Sequence, residues 1–100
     1  MAPAFVYLLR CADGSLYCGW TTDPQRRLAA HAAGRGSRYV RDRLPADYAA
    51  LWHAPTRRDA MRAEARIKRL SRPAKLRLAA GAAVPAELGP LVAAPLPVSP

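Results

Sequence analysis

The sequence predicts a small α+β domain: a three-stranded, mainly antiparallel sheet flanked by helices, in the order ββαβαα. Three observations lead there. Two short runs rich in β-formers, residues 5–11 and 16–20, flank Asp13-Gly14, a strong hairpin-turn signal. Two later stretches open with helix-start chemistry, Asp23-Pro24 and Thr56 with Asp59 three residues on. A chain of 100 residues supports one compact core and no more.

Taken in order, Phe5-Val6-Tyr7-Leu8-Leu9-Arg10-Cys11 and Leu16-Tyr17-Cys18-Gly19-Trp20 form the hairpin. Asp23 is the N-cap of the first helix and Pro24 occupies its first turn; the helix runs to about Ala33 and stops at Gly34. Residues 34–45 are rich in Gly and Arg and read as a loop. Residues 46–53, with Tyr48, Leu51 and Trp52, are the candidate third strand. The second long helix carries Ala60, Ala63, Ile67 and Leu70 at 3,4,3 spacing, one apolar stripe. Ser71 and Pro73 restart a short helix that ends before Gly81. Residues 1–80 therefore form the domain. Residues 81–100 hold five of the ten prolines and one charge, Glu87, and are expected as an extended or disordered tail.

The net charge is +9, and all 16 basic residues lie in residues 1–80. A basic folded unit favours a polyanion, because Lys and Arg that neutralise phosphates release condensed counterions. Cys11 and Cys18 have no flanking His or Cys cluster, which argues against a zinc site; they read as buried free thiols. Neither a secretory signal nor an apolar run of membrane-spanning length is evident, so the expectation is a cytoplasmic protein without a membrane partner, monomeric or weakly dimeric.

Three groups of residues could carry chemistry. Tyr7 and Tyr17 lie on paired strands. Arg27 and His31 are four apart and share one helix face. Glu64 lies beside the apolar stripe of the second long helix, where a carboxylate is costly unless paired or holding a metal. Each has a plainer explanation: rim tyrosines, a solvated arginine, a helix-capping histidine, and a Glu64–Lys68 surface pair. Parity adds a constraint. For both tyrosines to line one site, the hairpin loop must hold an odd number of residues, and Asp13-Gly14-Ser15 would satisfy it. The run from Gly34 to Arg43 suits a backbone-tracking surface, with Arg35, Arg38, Arg41 and Arg43 as cations and Tyr39 able to stack on a base or approach the reacting phosphate. Lys68 belongs to a second basic region along the C-terminal helices.

Together these residues resemble the GIY-YIG nuclease superfamily. Phe5-Val6-Tyr7 is similar to the first motif, with Phe5 where Gly would stand, and Tyr17-Cys18-Gly19 is similar to the second. Arg26-Arg27-Leu28 with His31 resembles the helix that carries the catalytic Arg. Ala63-Glu64, Ile67-Lys68 and Leu70-Ser71-Arg72 resemble the metal-binding Glu helix of the short, stand-alone bacterial members (the YhbQ-like group). The likeness covers about residues 5–79. It implies that Glu64 holds Mg²⁺ or Mn²⁺ as the single protein carboxylate. It implies that Arg27 contacts a non-bridging phosphate oxygen. Tyr7 and Tyr17 would position or deprotonate the attacking water, either one being the base, and His31 would assist proton traffic. Two departures stand out: Trp20 follows the second motif where many members have Lys, and the chain contains no Asn. The expected function is divalent-metal-dependent cleavage of nucleic acid by an endonuclease of low sequence specificity, directed by structure or damage as in DNA repair, with DNA favoured over RNA. The alternative is a non-catalytic nucleic-acid-binding module with a decayed site.

Overall fold

The structure, a computed structural model, describes residues 3–97. Strands β1 (Ala4–Cys11) and β2 (Leu16–Thr21) form the hairpin, followed by α1 (Pro24–Ala32), the short α2 (Arg38–Arg41), β3 (Ala46–Ala54), α3 (Arg57–Lys68) and α4 (Arg72–Ala79). A 3₁₀ turn (Ala86–Leu88) and a two-residue strand β4 (Val92–Ala93) complete the chain. The sheet order is β2-β1-β3-β4, antiparallel throughout. It is the expected α+β architecture with one strand more than the sequence suggested.

β1 lies in the middle of the sheet and is covered on both faces, which is why its apolar residues run on without alternation. Ala4, Val6 and Leu8 face one layer, with Ala60, Ala63 and Ile67 of α3, Leu78 of α4 and Leu88. Tyr7, Leu9 and Cys11 face the other, with Val40, Tyr48 and Leu51. The helix starts are as read: Asp23 accepts from the Arg26 amide, Thr56 from the Asp59 amide and Ser71 from the Ala74 amide. Ala60, Ala63 and Ile67 of the predicted stripe are the residues α3 buries, and Leu70, just past its end, is partly buried against the same layer.

Two local features set the site. The hairpin loop holds an odd number of residues, shifted by one from expectation to Ala12, Asp13 and Gly14. The Gly14 amide donates to Cys11 O at 2.9 Å, and the Cys11 amide donates to Ser15 O at 2.9 Å. Gly14 has φ +83°, the left-handed conformation that this type of loop requires at its last position. Leu9 therefore pairs with Tyr17 and Tyr7 with Gly19, so both tyrosines fall on one face. The second feature is a β-bulge: Leu8 pairs with Ala50 but Leu9 with Tyr48, so Ala49 is the extra residue. A bulge reverses the facing of everything beyond it. It turns Tyr48 onto the Tyr7 face, where simple alternation from Trp52 would have placed it on the other.

One expectation needs correction. Residues 34–45 are not all loop, because Ser37 caps α2 by accepting from the Val40 amide at 3.0 Å. Residues 81–97 run along the domain with a 3₁₀ turn and the short strand β4. Leu88 is only 2% exposed in the α3 and α4 layer, and the Ala94 amide donates to Leu51 O at 2.9 Å. One buried leucine and a few ladder bonds on the free edge of β3 hold a proline-rich segment that has no periodicity of its own. Residues 98–100 of the expected tail lie outside the described residues.

Candidate active site

Buried phenols, an imidazole and a ring of cations meet on the α1 face, at the β2 edge of the sheet. Tyr7 is 2% exposed and His31 1%. The Tyr7 hydroxyl lies 3.0 Å from His31 Nε2. Burial raises the Tyr7 pKa beyond its ordinary value, with Tyr17 adding to the rise and Arg27 opposing it. Burial also lowers the His31 pKa, and Arg27 lowers it further. A protonated phenol beside a neutral imidazole fixes the bond: Tyr7 O–H donates to Nε2. His31 Nδ1 finds no partner among the described residues. His31 does not act as an exposed cap on its own helix; it is a core residue turned toward the sheet.

Two glycines make room for this pair. A Cβ at Gly19 would overlap the Tyr7 ring and hydroxyl, and a Cβ at Gly36 would overlap the His31 ring. Gly in a strand often marks such a close approach. The third support is Tyr48, whose ring packs edge-on against Tyr7 at 5.2 Å while its hydroxyl donates to Pro24 O at 2.7 Å. Burial raises the Tyr48 pKa as well. Sequence reasoning missed the roles of Gly36 and Tyr48. Gly36 carried a signal only as a glycine in a basic loop, and Tyr48 carried none, because the bulge decides its facing.

Tyr17 is half-buried, and its ring lies 5.8 Å from His31 and 6.5 Å from Tyr7. Tyr39 stacks on it at 5.9 Å with an interplanar angle of 24°. The Arg43 guanidinium lies over the Tyr39 ring, 3.7 Å from its centre. Tyr39 thus already has a ring and a guanidinium against it, and a stacked base would compete with them. Arg43 is itself tied down, donating from Nε to Asp13 Oδ2 at 3.1 Å and from Nη1 to Tyr39 O at 2.9 Å. The Ser15 hydroxyl and amide, and then Arg43, hold the Asp13 carboxyl below its usual range.

Glu64 approaches from the opposite layer. Its side chain is 23% exposed, its Oε1 lies 3.6 Å from Lys68 Nζ, and Lys68 Nζ stands 5.9 Å from the centre of the Tyr17 ring. β2 is an edge strand, so Lys68 can reach round it and link the two layers. The Cys18 thiol faces Glu64, donating to its backbone oxygen at 3.9 Å, and burial with the Glu64 charge pushes its pKa up to about 12. Arg27 is exposed one helical turn before His31, and its charge is felt at Tyr7, His31 and Tyr48. Arg35 is exposed before α2 and Arg38 at its first residue, and Arg41 pairs with Asp42 at 3.6 Å.

Among the described residues no group of three or more His, Cys, Asp or Glu could cage a metal. A hydrated Mg²⁺ or Mn²⁺ needs no cage. One carboxylate with waters and substrate phosphate oxygens suffices, and half-buried Glu64 fits that role once Lys68 yields the carboxylate.

Residues 3–77 match the GIY-YIG catalytic domain. The chain belongs to the GIY-YIG family. This is a family of nucleases, and the present chain is one of its small members. The UPF0213 protein BH0048 of Halalkalibacterium halodurans is 47% identical over 74 residues, 74% of this chain and 79% of that protein. A UPF0213 protein of Nitratidesulfovibrio vulgaris is 55% identical over 65 residues, 65% of this chain and 59% of its own length. The solution NMR structure of BH0048 has a TM-score of 0.53 at 43% identity, covering 86% of this chain and 92% of that one. No described helix of this GIY-YIG protein is long and apolar enough to cross a membrane.

Proposed function

We propose that this GIY-YIG protein is a divalent-metal-dependent endonuclease that cleaves phosphodiester bonds of nucleic acid, DNA before RNA, with structure or damage rather than sequence directing it. The observation that carries the reading is the buried Tyr7–His31 hydrogen bond beneath half-buried Tyr17, with Arg27 at its mouth and Glu64 at the strand edge. Of Tyr7 and Tyr17, only Tyr17 is within reach of solvent, so its hydroxyl orients the attacking water. Tyr7 and His31 act behind it as a proton-accepting pair. Tyr7 cannot ionise alone in that burial, but it can pass its own proton to neutral Nε2 as it accepts another. Arg27 presents a planar fork to a non-bridging oxygen, where charge develops in the transition state. A metal ion at Glu64 would supply Lewis-acid stabilisation of the phosphate and the leaving oxygen.

The test is cleavage of end-labelled single-stranded, duplex and branched DNA and of RNA, with Mg²⁺, Mn²⁺ or EDTA, by the parent, Glu64→Gln and Arg27→Ala. Metal-dependent cleavage lost in both folded variants is expected, by a factor of about a hundred or more in rate, the usual scale for a removed electrostatic stabiliser. Cleavage that persists in both would sink the assignment of these residues. One observation favours a second reading, a binding module without catalysis: Lys68 Nζ already pairs with the carboxylate that a metal would need. That reading predicts metal-independent binding, undiminished by Glu64→Gln, and no cleavage of any substrate.

A further inference from the structure

A second cationic cleft lies beyond the end of β2, and no residue of it other than Arg27 has been given a role. It has a volume of about 250 Å³ and is lined by Trp20, Thr21, Thr22, Arg27 and Arg57. That is room for several waters or one hydrated phosphate group, since a water occupies about 30 Å³ of liquid. Two arginines line so small a space, and among the described residues no carboxylate pairs with either. The acids that lie close to them in the chain, Asp23 and Asp59, make hydrogen bonds elsewhere. Asp23 Oδ1 accepts from the Arg26 amide at 3.1 Å, and Asp59 Oδ2 accepts from the Thr56 hydroxyl at 2.9 Å. Arg57 is moreover the first residue of α3, the end of a helix where a cation is disfavoured. Two like charges around one cleft, one of them on an unfavourable helix position, lower the stability of the free protein. An anion between them removes both penalties. Trp20 packs its half-buried ring on the core and walls the cleft, while Arg27 and Arg57 are themselves exposed.

We infer that the Trp20–Arg27–Arg57 cleft is a phosphate subsite, in which Arg57 holds a backbone phosphate next to the one that reaches Tyr17. The inference rests on the nucleic-acid reading of the site and adds a contact to it. Thr21, which lines the cleft, stands four residues past Tyr17 on the same face of β2, about 13 Å away along an extended strand, while Trp20 faces the other layer. The cleft is therefore too far to share the reacting phosphate and close enough to take a neighbour on the same strand. Arg27 borders both places, and Arg57 borders only the second. The cleft fixes which stretch of strand lies across the tyrosines, and it reads backbone charge, not bases.

The experiment is equilibrium binding of fluorescein-labelled single-stranded and duplex oligonucleotides across a salt series, with EDTA present so that cleavage plays no part. Parent, Arg57→Ala, Arg57→Lys and Arg58→Ala are compared. Arg58 is exposed, lies outside the cleft and changes net charge equally, so it controls for general attraction. Loss of one phosphate contact lowers the slope of log K against log salt by about 0.7 for a single strand and 0.9 for a duplex. That change is expected for Arg57→Ala, with recovery in Arg57→Lys and no change in Arg58→Ala. The melting temperature of Arg57→Ala should equal or exceed that of the parent, because the free protein loses a repulsion. Equal slopes for Arg57→Ala and Arg58→Ala overturn the subsite alone. A parent that binds no oligonucleotide in a salt-dependent way overturns the nucleic-acid reading and the subsite with it.

Discussion

Replacing Gly19 by Ala adds one methyl group where the Tyr7 ring already lies. Gly19 has no positive φ, so the backbone itself accepts alanine, and a strand position should gain about 0.5–1 kcal/mol from it. The clash is with the Tyr7 hydroxyl and ring carbons. An exposed tyrosine would swing aside at little cost, but this ring is 2% exposed and wedged among Tyr17, His31 and Tyr48. Forcing it to move costs about 1–3 kcal/mol in overpacking. Breaking the bond to His31 leaves buried polar groups unpaired, at a further 1–3 kcal/mol or so. The net loss is about 3 kcal/mol, which for a domain of this size lowers the melting temperature by roughly 12–24 °C. The assay is thermal unfolding by circular dichroism, run as a cycle with Tyr7→Leu, whose shorter side chain leaves the contested space free. In that background the cost of Gly19→Ala should fall by about 1 kcal/mol or more, the coupling expected of residues in contact. A Gly19→Ala protein as stable as the parent, or an undiminished cost in the Tyr7→Leu background, would refute the proposed packing of the two motifs.

Acid should weaken the protein through His31. Its folded pKa lies below the ordinary 6.5, so below that pH the unfolded chain binds more protons and stability falls as pH drops toward the folded value. Urea midpoints from pH 8 to pH 5 should decline in the parent and decline less in His31→Gln; equal declines would remove His31 as the cause. On the alkaline side Tyr7 and Tyr48 have pKa values raised above the ordinary 10.0, so stability is full below pH 10 and is lost as pH climbs toward the folded values. Tyrosinate absorbance should show two of the four tyrosines resisting ionisation until the protein unfolds, and smooth titration of all four in the folded state would contradict the site. Leu88→Ala should cost about 2–5 kcal/mol if residues 81–97 are part of the fold, and an unchanged melting temperature would mean that the segment contributes nothing.

The elements of this fold were legible because each depends on neighbours in the chain. Asp23, Thr56 and Ser71 accept from amides three residues on, and α3 buries Ala60, Ala63 and Ile67 of the stripe that its 3,4,3 spacing announces. The parity argument for Tyr7 and Tyr17 worked for the same reason, since a strand alternates with a period of two and only the loop count could spoil it. The Thr56–Asp59 cap, the hairpin and the Arg27–His31 face are all local facts, and the motif residues follow in their order.

What the sequence could not determine depends on contacts between distant segments. Tyr48 faces Tyr7 only because Ala49 bulges against β1, a pairing irregularity with no local signature. His31 reads as a helix-end cation on its own helix, and it becomes a neutral core acceptor because Tyr7 arrives from a strand 24 residues away. Gly36 is a loop glycine until the His31 ring lies against it, and Arg57 is one arginine among many until α3 brings it beside Arg27. Leu88 sits in a segment without periodicity and is buried because the α3 and α4 layer offers it a place. Periodicity and capping are written in the chain within a few residues. Facing, burial and the sign of a pKa shift are set by which segments pack together, and only the folded structure decides that.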